Sequence, residues 1–216
     1  MTSGVALKSI VAILLLSGAT PALARQTAEK GVFPAGYTVR TDKPAESAAD
    51  IVFVDMKPGW HITTGPAAIL YAAAATASGE YRVEMESFLF DPAQRNEAYG
   101  FFIGGKNLDG EQQSYTYFVI RRSGEFLVKR RTGTGTPVVI DWKANPAILK
   151  YDDKGEAGTA KNILAVDVGR DVVRFEVNGR EVASLPRNQV DTDGIVGLRV
   201  NHSLNLHVTR LDVVKR

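Results

Sequence analysis

No cysteine occurs in the 216 residues, which excludes disulfide staples, thiol catalysis and every zinc site built on thiolates. Histidine is nearly as scarce. The three present, His61, His202 and His207, fall at no spacing such as H-E-x-x-H, so the sequence holds no recognisable metal triad. Net charge is small as well: 26 Lys and Arg against 24 Asp and Glu leave a formal +2, too balanced for a chain that coats nucleic acid or an anionic membrane. There is no G-x-S-x-G elbow, and Gly133-Thr134-Gly135-Thr136 lacks the ending of a phosphate loop and runs into Pro137. Serine-hydrolase and nucleotide-binding readings therefore have no support.

What is present is a body with 44% hydrophobic residues, enough to build a full core. At the start, Lys8 precedes the apolar run Ile10 to Leu16, about half of the ~20 residues that cross a bilayer. Pro21 and then Ala22-Leu23-Ala24 follow, with small residues where a signal peptidase reads, and polar Arg25 comes next. Residues 1–24 are expected to be a signal peptide cleaved after Ala24, leaving a periplasmic or extracellular protein with no stable membrane span. Residues 25–50 show weak periodicity and read as a lead-in, with residues 51–216 forming one domain.

Within that domain about a dozen short apolar or alternating stretches recur, from Ile51–Met56 to Leu206–Val213, punctuated by Ser78-Gly79, Asp109-Gly110, Ser123-Gly124, Asn178-Gly179 and Asp193-Gly194. No amphipathic helix stands out. The reading is all-β, a two-sheet antiparallel sandwich. Asn178-Gly179 predicts a type I′ hairpin with Val173, Phe175 and Val177 on the buried face. A two-residue Ser123-Gly124 turn would set Arg122 opposite Glu125, Phe118, Ile120 and Leu127 on one face, and Tyr115, Tyr117, Val119, Val128, Arg121 and Arg130 on the other. Both faces carry large side chains, as in a strand pair with the core on one side and a groove on the other.

The long strand Gly79 to Phe88, the aromatic and glycine strand Tyr99 to Gly105, the pair Asn162–Val166 and Val173–Gly179, and the closing Gly194–Val200 together resemble the jelly rolls of the concanavalin A-like lectin/glucanase superfamily. Laminin-G-like and 3-keto-disaccharide hydrolase-like domains of exported bacterial proteins are included in that resemblance. It covers most of residues 50–216 and implies an architecture in which members bind or cleave sugars on a concave sheet, or serve as protein-interaction modules. The glucanase signature E-x-D-x-x-E of that superfamily is absent here.

Two sets of candidates follow. Glu84 and Glu86 project from one side of one strand about 7 Å apart, near the spacing of a retaining glycosidase pair, but Arg82 stands among them as on a solvated surface. The stronger set is aromatic. Tyr115 and Tyr117 with Arg130 and Arg121, Phe102 between Gly100 and Gly104, and Trp142 in an expected loop supply the flat apolar faces and planar donors that a sugar ring needs. Asp191-Thr192-Asp193-Gly194 holds part of a calcium-loop alternation without its terminal acid and reads as a turn, calcium on Asp191 and Asp193 being the lesser alternative. Lys129-Arg130-Arg131 with Arg121 and Arg122 suits a polyanionic sugar better than nucleic acid. The leading expectation is an exported, non-catalytic carbohydrate-binding sandwich without a cofactor. A glycoside hydrolase and an envelope protein-interaction module are the alternatives.

Overall fold

Alternation of apolar and polar residues decides which way the strands face in the computed structural model, which describes Met1 and residues 31–216. The expected signal peptide lies outside the described residues, as does the first part of the lead-in. Along β5 (Tyr81–Leu89) every odd-numbered residue is buried and every even-numbered one is half-exposed, the period-2 signature of a sheet with one face on a core.

In chain order the other strands are β1 (Tyr37–Thr41), β2 (Val52–Asp55), β3 (Trp60–Thr63), β4 (Ala68–Ala77), β6 (Ala98–Lys106), β7 (Ser114–Arg121) and β8 (Glu125–Thr132). They are followed by β9 (Val138–Ala144), β10 (Ala160–Val168), β11 (Val172–Val177), β12 (Arg180–Pro186), β13 (Gly194–Val200) and β14 (Asn205–Lys215). Helix among the described residues is limited to single 3-10 turns. Two seven-stranded antiparallel sheets result: a first sheet in the order β1-β4-β13-β6-β7-β8-β9 and a second in the order β12-β11-β10-β5-β14-β3-β2. The C-terminal strands β13 and β14 insert between early strands in both sheets, so both need long-range closure. This is the two-sheet sandwich of a jelly roll.

The core between the sheets is aromatic at its centre. The Phe118 ring of the first sheet lies 5.3 Å from Phe175 of the second, and 6.2 Å from both Phe101 and Phe126. Each such fully buried ring contributes roughly 1.5–3 kcal/mol through removal of apolar area from water. The Asn178-Gly179 hairpin forms as expected, with both residues at positive φ and Val173, Phe175 and Val177 fully buried.

Three readings change. The hairpin joining β7 to β8 pairs Arg121, not Arg122, with Glu125. Gly124 adopts φ 85°, so Arg122, Ser123 and Gly124 make a three-residue loop with a left-handed final residue in place of a two-residue turn. One step of register moves every β8 side chain to the opposite face: Leu127 joins Tyr117 and Val119, whereas Val128 and Arg130 turn away. Trp142 belongs to edge strand β9 and not to a loop. Residues 37–41 of the lead-in form β1, which pairs with β4 along the other edge of the first sheet.

Candidate functional site

The outer face of the first sheet carries a second apolar cluster, separate from the core. Phe102, Tyr115, Tyr117, Val119 and Leu127 are buried there with Ile69, Tyr71, Ala98 and Leu108, and Trp142 and Ile195 pack against them. The cause is the parity of β7: with Phe118 and Ile120 facing the core, Tyr115 and Tyr117 must face away from it. Glycine makes room for the largest ring. A Cβ on Gly197 would come within 2.6 Å of Phe102, and one on Gly105 within 2.8 Å, so the ring lies across the backbone of β13. The Tyr115 ring packs, tilted, 4.9 Å from Phe102 and 5.8 Å from Tyr117.

These rings are a sealed floor and not an open platform. Phe102, Tyr115 and Tyr117 are 0%, 2% and 7% exposed. Arg199, next to the last residue of β13, lies 5.4 Å over the Tyr117 ring. It donates two hydrogen bonds, of 2.5 and 2.6 Å, to the Asp42 carboxylate just beyond β1. Arg40 of β1 donates to the carbonyls of Leu108 and Gly110, drawing the loop after β6 toward the same cover. Burial pushes the Tyr115 phenol up and that of Tyr117 up to about 12, so both stay protonated at neutral pH.

Beside this cluster, and bordered by its Tyr71, opens a cavity of about 750 Å³, walled also by Arg40, Asp42, Asp109, Gln113 and Arg131 among others. Its chemistry is mixed: one aromatic ring, two guanidinium groups, carboxylates and two carboxamides. Such a set gives an apolar surface and planar donors and acceptors around a small polar guest.

The sequence-derived residues divide among several places. Tyr115, Tyr117 and Phe102 come together in the sealed cluster, and none of them lines the cavity. Arg121 lies on the same face, about 20 Å along β7 from Tyr115 by strand rise. There it is clamped by Glu125 at 2.7 and 2.8 Å and sits 4.1 Å above the Trp142 ring. Arg130 does not join the tyrosines: on the opposite parity it donates to the Gln189 carbonyl and pairs with Asp191 at 3.3 Å. Asp193 accepts from Gly79, Arg187 and Thr192, so both acids of that turn are engaged by arginine.

Glu84 and Glu86 face outward from the second sheet, inside an ion-pair network. Glu84 meets Arg82 at 3.2 Å and also Arg210; Glu86 meets Lys161 at 3.0 Å, Arg210 at 3.8 Å and the Thr209 hydroxyl at 2.9 Å. Burial raises the Glu86 carboxyl, but the bonds from Lys161 and Thr209 and the charges of Lys161 and Arg210 outweigh it, so the group is held low. A carboxyl held ionised in this way is poorly suited to general-acid work.

Arg40, Asp42, Tyr71 and Arg199 were not identified as site residues from the sequence. One signal was present, an arginine at position 199 inside the apolar strand Gly194–Val200. A charge in a buried strand needs a partner, but nothing local pointed to Asp42, 157 residues away.

No protein-family model matches the chain, and no curated protein does. Solved structures do. The carbohydrate-binding module CBM66 from Bacillus subtilis superimposes with a TM-score of 0.60 at 13% identity, over 83% of this chain and 96% of that one. A Bacillus subtilis protein of unknown function with a galectin-like fold gives 0.58 at 10% identity over 83% and 90%. A Bacillus licheniformis β-glucanase gives 0.56 at 10% identity over 88% and 97%. The chain has the concanavalin A-like jelly-roll fold that its strand order resembles.

Proposed function

We propose that this protein is an exported, non-catalytic carbohydrate-binding sandwich whose site is the cavity on the outer face of the first sheet. The observation that carries the reading is the lining of that cavity by Arg40, Arg131 and Gln113 beside Tyr71, whose ring belongs to the buried aromatic cluster of the same face. A sugar hydroxyl both donates and accepts, and it is best met by guanidinium and carboxylate groups whose positions are fixed before binding. Arg40 is fixed by two carbonyls and Arg131 by the Gly133 carbonyl at 2.7 Å. The likeness to a carbohydrate-binding module and to a glucanase supports the reading through the shared fold.

The test is retention on affinity gels across a panel of neutral and acidic glycans. Arg131→Ala should weaken retention by about tenfold, the worth of one charge-assisted hydrogen bond, while a thermal melt shows the fold intact. Glu86→Gln should retain the glycan as the unaltered protein does. Absence of any glycan-dependent retardation, or equal loss in both variants, would overturn the proposal.

A further inference from the structure

The sequence scatters its histidines, but the fold brings two of them face to face. In the antiparallel pair of β3 and β14, His61 stands directly opposite His207, and Asn205 lies two residues earlier on β14, opposite Thr63. Ile62 and Leu206 between them and Val208 after His207 are buried in the core, so all three polar side chains project from the outer face of the second sheet. They are also chemically incomplete. The Nδ1 atoms of His61 and His207 and the Oδ1 of Asn205 are buried and have no hydrogen-bond partner among the described residues. Unpaired buried polar atoms are rare because each forfeits its hydration, and here three occupy adjacent positions on one surface. Phenylalanine walls the group: Phe90 meets the His61 ring edge-on at 5.6 Å, and Phe88 lies 6.3 Å from His207.

We propose that His61, His207 and Asn205 form a binding site for a divalent transition ion of the zinc, nickel and copper group. Directly opposed residues of an antiparallel pair have Cβ atoms about 4.5–5.5 Å apart. Two imidazoles at that spacing can converge on one ion, with bonds of about 2.0–2.1 Å. Two imidazole nitrogens and one amide oxygen suit borderline ions. Calcium takes six to eight oxygens, often from carboxylates, and no carboxylate belongs to this donor set. Imidazole must be neutral to bind a metal, and burial, with the neighbouring His207, holds the His61 pKa low. A bound ion would clip β3, and through it edge strand β2, to the interior strand β14.

Calorimetric titration of tag-free protein with nickel, zinc or copper chloride, in a non-coordinating buffer near pH 7.5, should show one saturable site per chain. His61→Ala and His207→Ala should each weaken it by at least about tenfold, Asn205→Ala should weaken it less, and His202→Ala should leave it unchanged. Proton resonances of the imidazole rings decide the matter on the unaltered protein even if a variant fails to fold. Substoichiometric copper should broaden the signals of His61 and His207 and spare that of His202. No saturable binding below millimolar metal, equal broadening of all three histidines, or an unchanged affinity in a folded His61→Ala, His207→Ala double variant would overturn the proposal.

Discussion

Asp42 and Arg199, 157 residues apart, are joined by a two-bond carboxylate–guanidinium fork that bridges the segment after β1 to the middle of the first sheet. Arg199 is 6% exposed, whereas the Asp42 side chain keeps a quarter of its surface in water. Removing the acid leaves a buried cation without its counter-charge. Asp42→Ala is therefore expected to cost about 3 kcal/mol, the lower end of the range for breaking a buried pair because of that partial exposure. Urea titration measures it. The double variant Asp42→Ala, Arg199→Met should recover most of the loss; a double variant no better than Asp42→Ala would show that the acid's worth lies elsewhere.

The same pair makes stability depend on acid. Burial raises the Asp42 carboxyl, but the hydrogen bonds and charge of Arg199, helped by Arg131 and His202, outweigh it and hold the group below its ordinary 3.8. The folded state thus binds this proton later than the unfolded state does. The contribution is complete above that ordinary value and disappears as pH falls through the lower folded one. Between pH 5 and pH 2, as two working limits set about the ordinary carboxylate range, the unaltered protein should lose more stability than Asp42→Ala. Parallel curves for the two would contradict the assignment.

Much of this architecture was legible in the chain because alternation is a strong signal where one face is buried. The β5 sequence and the Asn178-Gly179 hairpin behave as their patterns require. Edges were harder. In β1 only Tyr37 and Val39 mark an inner face, and β9 opens on the unalternated run Val138-Val139-Ile140 after a glycine- and threonine-rich turn. The parity of Tyr115 and Tyr117 could be read from β7, but their sealing could not, since the cover comes from Asp42, Arg199 and Leu108 through contacts remote in sequence. The Arg130 placement failed for a smaller reason: one extra loop residue before Gly124 reverses a whole strand.

Sealing of the floor separates two effects of mutation at Tyr117. Because the residue is 7% exposed, Tyr117→Ala should cost about 3 kcal/mol by leaving a cavity between Tyr115 and Arg199. Tyr117→Phe keeps the ring and should stay within about 1 kcal/mol. Glycan retention should survive in Tyr117→Phe, since Tyr117 does not line the cavity. Loss of retention in a fully folded Tyr117→Phe would place the guest on the phenol itself.

Gly197 should tolerate no side chain. A Cβ there would stand 2.6 Å from the Phe102 ring and 2.7 Å from the Leu70 carbonyl oxygen, both nearer than real contacts allow. Gly197→Ala is expected to lose about 1–3 kcal/mol through overpacking. Trimming the ring with Phe102→Leu should return only part of this, because the carbonyl belongs to the adjacent strand β4 and cannot retreat alone. Full recovery in the double variant would mean that the backbone contact relaxes freely.

On the second sheet, the opposed histidines predict a milder pH effect that can be isolated in the presence of a chelator. The His61 pKa is lowered, chiefly by burial and then by the charge of His207. Lys161, whose ammonium lies 5.4 Å over the neighbouring Phe88 ring, adds a cation to this face, and Glu86 answers it at 3.0 Å. Below the ordinary histidine value of about 6.5, the unfolded chain takes up a proton that folded His61 still refuses. Stability should therefore fall as pH drops from that value to the folded pKa, and level off beneath it. His61→Gln removes the titrating group, so its urea midpoint should vary less than that of the unaltered protein between pH 7.5 and pH 5.5, two limits that bracket the ordinary histidine value. An equal or steeper dependence in the variant would assign the effect to another group.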